Sequence, residues 1–293
     1  MKFIRFEYKD QEVLGIFSKD EKEVISIESI LGGKDFNHMN KLIEMISKEE
    51  ISKLREAYEE KTDGISLDQV KVLSPIEKPI HDIICIGLNY SDHIGEVRGA
   101  DDHLKDNTNI VYFSKRASRI LGSGEKVKGH FELDPNLDYE VELALIIGKR
   151  GRNIAREEVG DYIFGYSVFN DLSSRQLQKE HGQWYRGKSL DNYSTMGPCI
   201  LYKDQVDLPL ELNISSKVNG EIRQESNTRL FINDIASIIS EISNGITLEA
   251  GDIIATGTPS GVGAGFNPPK FLKAGDVVEC EIEKIGKLIN PII

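Results

Sequence analysis

Three acidic residues are placed where they could hold a hard cation. In Asp138-Tyr139-Glu140-Val141-Glu142-Leu143-Ala144-Leu145-Ile146-Ile147-Gly148 the apolar tail, closed by a glycine, predicts a β-strand. Side chains alternate faces along a strand, so Glu140 and Glu142 share one face and Val141 takes the other. Like charges side by side on a pleated face repel by roughly several tenths of a kcal/mol, and a folded chain keeps such a pair when something positive sits between them. Asp171 supplies a third acid at the end of a second strand-like run, Phe164 to Asp171, just before a helical start at Leu172 to Gln178. Three oxygen ligands without Cys or His suit Mg²⁺ or Mn²⁺ better than zinc. The same residues also read as a solvated face with Asp171 capping the following helix. Spacing alone leaves both readings open.

Two further sets of residues could do chemistry. His93 and Glu96 are three apart after the buried strand Asp82 to Gly87, so one helical turn puts them on one face, where a carboxylate-held imidazole makes a general base. A surface polar pair has the same spacing. Glycines at 87, 95 and 99 and the polar run Asp101 to Asn107 predict a lid-like segment here. In Gln183-Trp184-Tyr185-Arg186-Gly187-Lys188-Ser189-Leu190-Asp191, Lys188 is either a solvated lysine or a cation facing an anionic substrate or oxyanion.

The elements that must position these groups are strand-rich. Met1 to Tyr8 and Glu12 to Phe17 read as a hairpin around Lys9-Asp10-Gln11, with Glu23 to Ile30 as a third strand. Lys41 to Glu60 reads as one helix or two short ones, and Leu73 to Pro79, with two prolines, as a connection. The expected organisation is a small N-terminal accessory domain (1–70), a linker (71–80) and a catalytic domain (81–293). Within the last, Asn219-Gly220 marks a hairpin and Leu230 to Ser243 an amphipathic helix with an isoleucine face. The glycine-rich Thr256 to Gly263 is neither a Walker loop nor a dinucleotide fingerprint, but lets backbone approach a ligand.

Composition narrows the classes. With 293 residues, 39% hydrophobic and 29% charged, the chain has the make-up of an ordinary globular protein. A net charge of −12 argues against general nucleic-acid binding. No apolar run reaches membrane-spanning length and the N-terminus lacks signal-peptide features. Three widely spaced cysteines in apolar segments, Cys85, Cys199 and Cys280, read as buried thiols in a reducing cytoplasm.

Taken in order, Ile86-Gly87-Leu88-Asn89-Tyr90-Ser91-Asp92-His93 with Glu96, Asp138 to Leu143, Gly165 to Arg175 with Gln178, Gly187 to Asp191, Gly197-Pro198 and Thr256 to Gly263 resemble the fumarylacetoacetate hydrolase family. The resemblance covers residue 80 to the C-terminus. It implies an α+β, β-rich mixed β-sandwich roll, usually a homodimer, with Mg²⁺ or Mn²⁺ held by Glu140, Glu142 and Asp171. It assigns His93 and Glu96 to a catalytic dyad on the lid, makes Lys188 an active-site cation, and makes Tyr90, Arg175, Gln178 and Thr258 substrate-binding positions. One departure is Lys115-Arg116, where relatives often have Lys-Pro.

The implied activity is metal-dependent hydrolysis of a C–C bond in an acylpyruvate-type 2,4-dioxo acid through a metal-stabilised enolate. His93 would activate water and Lys188 would hold the developing oxyanion. Two sister chemistries use the same apparatus: oxaloacetate decarboxylation or tautomerisation, and isomerisation of the 2-hydroxyhepta-2,4-diene-1,7-dioate type. An alternative outside enzymology is a catalytically silent metabolite-binding protein. The expected partner is a small 2-oxo acid, with neither nucleic acid nor membrane.

Overall fold

The computed structural model describes residues 1–34, 36–60, 64–93 and 109–293, and the fold is a mixed, strand-rich α+β architecture. The chain opens with β1 (Lys2–Tyr8) and β2 (Gln11–Phe17), a hairpin whose turn residues Lys9 and Asp10 take positive φ, the geometry that matches strand twist in a tight turn. The third strand is shorter than its sequence pattern suggests. It stops as β3 (Glu23–Ser26), and Ile27–Leu31 turns helical, burying Ile27 where an extended chain would have carried it past the core.

The stretch Lys41 to Glu60 resolves into two helices, Met39–Met45 and Lys48–Glu59. The break falls at Ser47, whose hydroxyl accepts from the Glu50 amide while the Glu50 carboxylate accepts from the Ser47 amide, a reciprocal cap that starts a new helix. After β4 (Ile65–Ser66) and β5 (Lys71–Leu73) come β6 (Ile83–Gly87), β7 (Val111–Lys115), β8 (Leu137–Asp138), β9 (Val141–Ile147), β10 (Ile163–Asp171) and β11 (Ser173–Ser174). The short helices Arg175–Glu180 and Tyr185–Lys188 lead to β12 (Ser194–Tyr202), then β13 (Asn213–Val218) and β14 (Glu221–Asn227). Asn219 and Gly220 make the expected tight turn between the last two, both at positive φ. The isoleucine helix spans Ile235–Ile242, beginning later than its pattern because Asp234 accepts from the Ser237 amide and caps it there. The chain ends with β15 (Ile253–Ala255), β16 (Val277–Ile282) and β17 (Gly286–Pro291).

Among the described residues eleven strands form one sheet, in the order β4-β3-β2-β1-β12-β10-β9-β15-β6-β7, with β5 paired to β1. A second sheet, β14-β13-β16-β17, packs across it. Strand β9 is buried on both faces, hence the unbroken apolar run Leu143 to Ile147 that follows Glu142. Val141, Leu143, Leu145 and Ile147 join the core toward the second sheet, with Ile214, Val278, Ile282 and Leu288. Ala144 and Ile146 join the other core, with Phe3, Ile16, Leu42, Ile43 and Leu54 of the N-terminal segment. Residues 1–70 therefore share both sheet and core with the rest of the chain: β1 pairs antiparallel with β12 through Lys2↔Leu201 and Phe3↔Ile200.

Candidate active site

Register places the three acids. In the β9–β10 ladder Phe169 faces Glu142 and Asn170 faces Val141, and beyond it the Asp171 amide donates to the Glu140 carbonyl at 2.9 Å. Glu140 opposite Asp171 and Glu142 opposite Phe169 all fall on one face, and all three acids are buried. Their carboxylates offer oxygens within 4.8 Å of one another. Asp171 ends β10 rather than capping a helix; the helix after it starts from Ser174, without a side-chain cap.

The counter-charge comes from three directions. Lys188 Nζ lies 2.6 Å from Glu140 Oε2 and 2.7 Å from Asp171 Oδ2. Its helix can deliver it because Gly187 has no side chain: a Cβ there would stand 2.5 Å from the Gln178 amide nitrogen and 2.6 Å from the Ser174 carbonyl oxygen. Arg175 Nη1 lies 2.6 Å from Glu140 Oε1, and its Nε donates to Asp138 Oδ2 at 2.8 Å. Lys115, fully buried at the end of β7, places Nζ 2.6 Å from Asp171 Oδ1 and donates to the Leu172 carbonyl at 2.9 Å. The Lys115–Asp171 contact is an ion pair without hydrogen-bond alignment, which leaves Asp171 Oδ1 with no hydrogen bond.

These surroundings split the acids electrostatically. Burial pushes the Glu140 carboxyl up, but Lys188 and Arg175 pull harder and bring it down to about 2. Among the described residues Glu142 has no ion-pair partner of its own and accepts one hydrogen bond, from the Gly257 amide at 2.8 Å; burial first, then the Asp171 and Glu140 charges, raise it well above the usual carboxylate range. Lys188 stays charged because Asp171 and Glu140 outweigh the burial that would lower it. Lys115 is lowered, burial outweighing Asp171. A divalent cation fits this donor set: hard oxygens, close together, on the acid lacking a counter-charge and on an Asp171 oxygen lacking a hydrogen bond.

Above the acids opens a cavity of about 340 Å³. Glu140, Glu142 and Lys188 reach its surface, with His93 on its wall; Arg175, Gln178 and Thr258 line it as well. Asp171 lies behind Lys188 and is not part of the lining. Phe113 and Trp184 form an aromatic side, their rings packed edge-on at 5.1 Å. Arg175 also donates to Gln178 Oε1 at 3.0 Å. The Thr258 hydroxyl donates to the Val141 carbonyl and accepts from Gln224. Tyr90, expected to touch substrate, packs its buried ring edge-on against Phe231 at 5.1 Å and is not part of the lining. Glu96 and the lid expected over Asp101 to Asn107 lie outside the described residues.

Three contributors escaped the sequence reading. Lys115 stood out only as half of a departure, although alternation along Val111–Lys115 puts it on the face of Phe113, which lines the cavity. Its neighbour Arg116 donates its amide to Ser189 Oγ at 3.0 Å, a bond a proline could not make. Asp138 continues the acidic alternation two residues before Glu140; it ties Arg175 to the glycine-rich loop by accepting from the Gly263 and Ala264 amides. Gln224 leaves no local trace, yet its side chain joins Val141, Ser216, Thr258 and Pro259.

The pattern of the fumarylacetoacetate (FAA) hydrolase C-terminal family matches residues 82–293, which include every site residue named above. The chain belongs to the fumarylacetoacetate hydrolase family. It is 41% identical to oxaloacetate tautomerase YisK of Bacillus subtilis strain 168, over 97% of this chain and 94% of that one. Its fold is similar to that of a fumarylacetoacetate hydrolase from psychrophilic Exiguobacterium antarcticum, with a TM-score of 0.82, 36% identity and coverage of 100% and 99%. It is also similar to maleylpyruvate hydrolase from Sphingobium sp. SYK-6, solved with manganese(II) and pyruvate, at a TM-score of 0.77, 30% identity and coverage of 100% and 99%. Family members named as tautomerase, isomerase and hydrolase are enzymes, and the buried acid trio here could hold a metal ion.

Proposed function

We propose that this enzyme interconverts the keto and enol forms of a 2-oxo acid of the oxaloacetate type, by moving a proton between C3 and the 2-oxo oxygen. The observation that carries the reading is His93 on the wall of a cavity whose floor is the acid cluster with its buried lysine. Near-full-length identity of 41% to an oxaloacetate tautomerase supports it and favours proton transfer over the hydrolysis implied by the family resemblance alone. Mg²⁺ or Mn²⁺ bound by Glu140, Glu142 and Asp171 supplies Lewis-acid polarisation of the 2-oxo carboxylate head, making the C3 hydrogens acidic. His93 takes the C3 proton and delivers it to the 2-oxo oxygen, and in the reverse direction carries the enol proton back to C3. Glu140 is a poor competitor for it, since a carboxyl held at about 2 is a weak base. Lys188 faces the oxygen on which negative charge develops and keeps its own proton there. The Phe113–Trp184 side keeps water from the carbanionic carbon.

A second reading, hydrolysis of an acylpyruvate, is favoured by one feature: a cavity of about 340 Å³ with an aromatic side leaves room beyond a four-carbon acid. In that case His93 deprotonates water, hydroxide adds to the distal acyl carbonyl, and the C–C bond breaks to give a carboxylic acid and the enol of pyruvate. Stopped-flow absorbance of enol-oxaloacetate in Mg²⁺ or Mn²⁺, beside acylpyruvate cleavage and CO₂ release, separates the readings. Tautomerisation predicts accelerated enol decay that EDTA and Glu142→Gln abolish. Acylpyruvate cleavage with an unaccelerated oxaloacetate enol would overturn it in favour of hydrolysis. The homodimer and the cytoplasmic setting belong to the same proposal, and light scattering of the purified chain tests the former. No described helix is long and apolar enough to cross a membrane.

A further inference from the structure

The cavity wall formed by helix Arg175–Glu180 carries a second cation that the acid cluster does not use. Arg175 and Lys179 are four residues apart, so they share a helix face with about 6 Å of rise between them. Both line the cavity. Arg175 belongs to the floor, tied to Glu140 and Asp138, with its Nη2 buried and lacking a hydrogen-bond partner. Lys179 is exposed toward the mouth. Among the described residues it has no acidic partner, whereas Lys188 and Lys115 are committed to the acids below. In a protein of net charge −12, a lysine beside a cavity with no carboxylate partner among the described residues is a cation available to a ligand.

We propose that Lys179, helped by the free Nη2 of Arg175, receives a second carboxylate, so that this chain selects 2-oxo dicarboxylates over 2-oxo monocarboxylates. The inference rests on the proposed function in one respect: it takes the 2-oxo carboxylate head to sit at the Glu140 floor. The wall climbs about 6 Å between the two residues, and the flexible lysine stem lets its ammonium meet the second carboxylate of a short 2-oxo diacid above that floor. Lys179 meets the second carboxylate, which in oxaloacetate is bonded to C3 itself, and it neither gives nor takes the proton there, so its charge sets specificity while His93 moves the proton.

The test reads binding apart from turnover. Trp184 is the only tryptophan of the chain and lines the cavity, so its fluorescence reports occupancy. Two probes that differ by a carboxylate in place of a methyl group, 2-oxoglutarate and 2-oxopentanoate, are titrated into the Mg²⁺-loaded protein. The wild type is expected to prefer the diacid, and added salt to compress that preference. Lys179→Ala is expected to reduce the ratio of the two affinities about fivefold, the scale of a partly exposed ion pair, and Lys179→Glu to remove the preference, while Lys179→Arg retains it. Equal affinity of the wild type for both probes, or loss in both Ala and Glu variants that leaves the ratio unchanged, overturns the inference. Oxaloacetate kinetics supply the second readout: KM rises in Lys179→Ala with kcat little altered. If the affinity ratio shifts as expected but the wild type does not accelerate oxaloacetate enolisation, the diacid site stands and the tautomerase reading falls.

Discussion

Replacing Lys188 by methionine keeps the stem of the side chain and removes its charge, in a place where the consequence can be worked out. The ammonium is 2% exposed and serves Glu140 and Asp171 at 2.6 and 2.7 Å. Without it, among the described lysines and arginines, Asp138, Glu140, Glu142 and Asp171 face Arg175 and Lys115. Removing one partner of a buried ion pair costs about 3–5 kcal/mol, because the other charge stays buried and uncompensated. Proton uptake limits the damage here, since Glu142 already sits far above the usual carboxylate range and Glu140 would rise once its main counter-charge is gone. The lower end, about 3 kcal/mol, is therefore the expected cost. At about 2 °C per kcal/mol for a chain of this size, Lys188→Met should lower the melting temperature by roughly 6 °C in EDTA. A divalent ion brings back the missing charge, so saturating Mg²⁺ or Mn²⁺ should raise the variant's melting temperature by more than it raises that of the wild type. Differential scanning calorimetry of both proteins with and without metal is the assay. Equal melting temperatures in EDTA, or a deficit that metal does not shrink, would refute the claim that Lys188 is the counter-charge of the empty acid cluster. Turnover should fall by about 10²–10³ in the metal-loaded variant, the scale of losing one preorganised donor at a developing oxyanion.

Two further outcomes follow from the shell around the site. Gln224→Leu should destabilise by about 2–4 kcal/mol in urea unfolding, because the buried Val141 amide and Thr258 hydroxyl both lose a partner; a change under about 0.5 kcal/mol would count against that network. The thiols should be silent to a disulfide reagent at pH 8 in the native protein and all react after unfolding: all three cysteines are buried, and burial pushes Cys85 and Cys280 up and Cys199 up to about 12. Fast labelling of any one of them in the folded state would contradict this.

Much of the acid cluster was legible because it rests on strand alternation, a local rule. Glu140 and Glu142 had to share a face, and Asp171 closed a run that had to be a strand. What joined the two runs was the β9–β10 register, and only the folded chain shows that Phe169 faces Glu142. Lys115 and Gln224 were illegible for the same reason: Lys115 meets Asp171, and Gln224 the backbone between Glu140 and Glu142, across strands far apart in the chain, and nothing within a few residues of either marks the partner. Two helix boundaries were set by capping. Ser47 with Glu50 split one helical pattern, and Asp234 moved the start of another; in both cases a short polar side chain overruled apolar spacing. The N-terminal 70 residues looked separable because they contain no chemistry, and composition says nothing about which strand will seek which edge.

That last pairing bears on what the opening residues do for the protein. Strand β12 lies next to the strand that carries Asp171, and β1 pairs with its far end, at Ile200 and Leu201, where the backbone groups would otherwise be open to an extended chain nearby. With the opening hairpin in place, the sheet runs out instead at β4, two residues long, too short to template another molecule. The stretch without catalytic groups thus forms the border of the sheet on the side of the strand that carries Asp171.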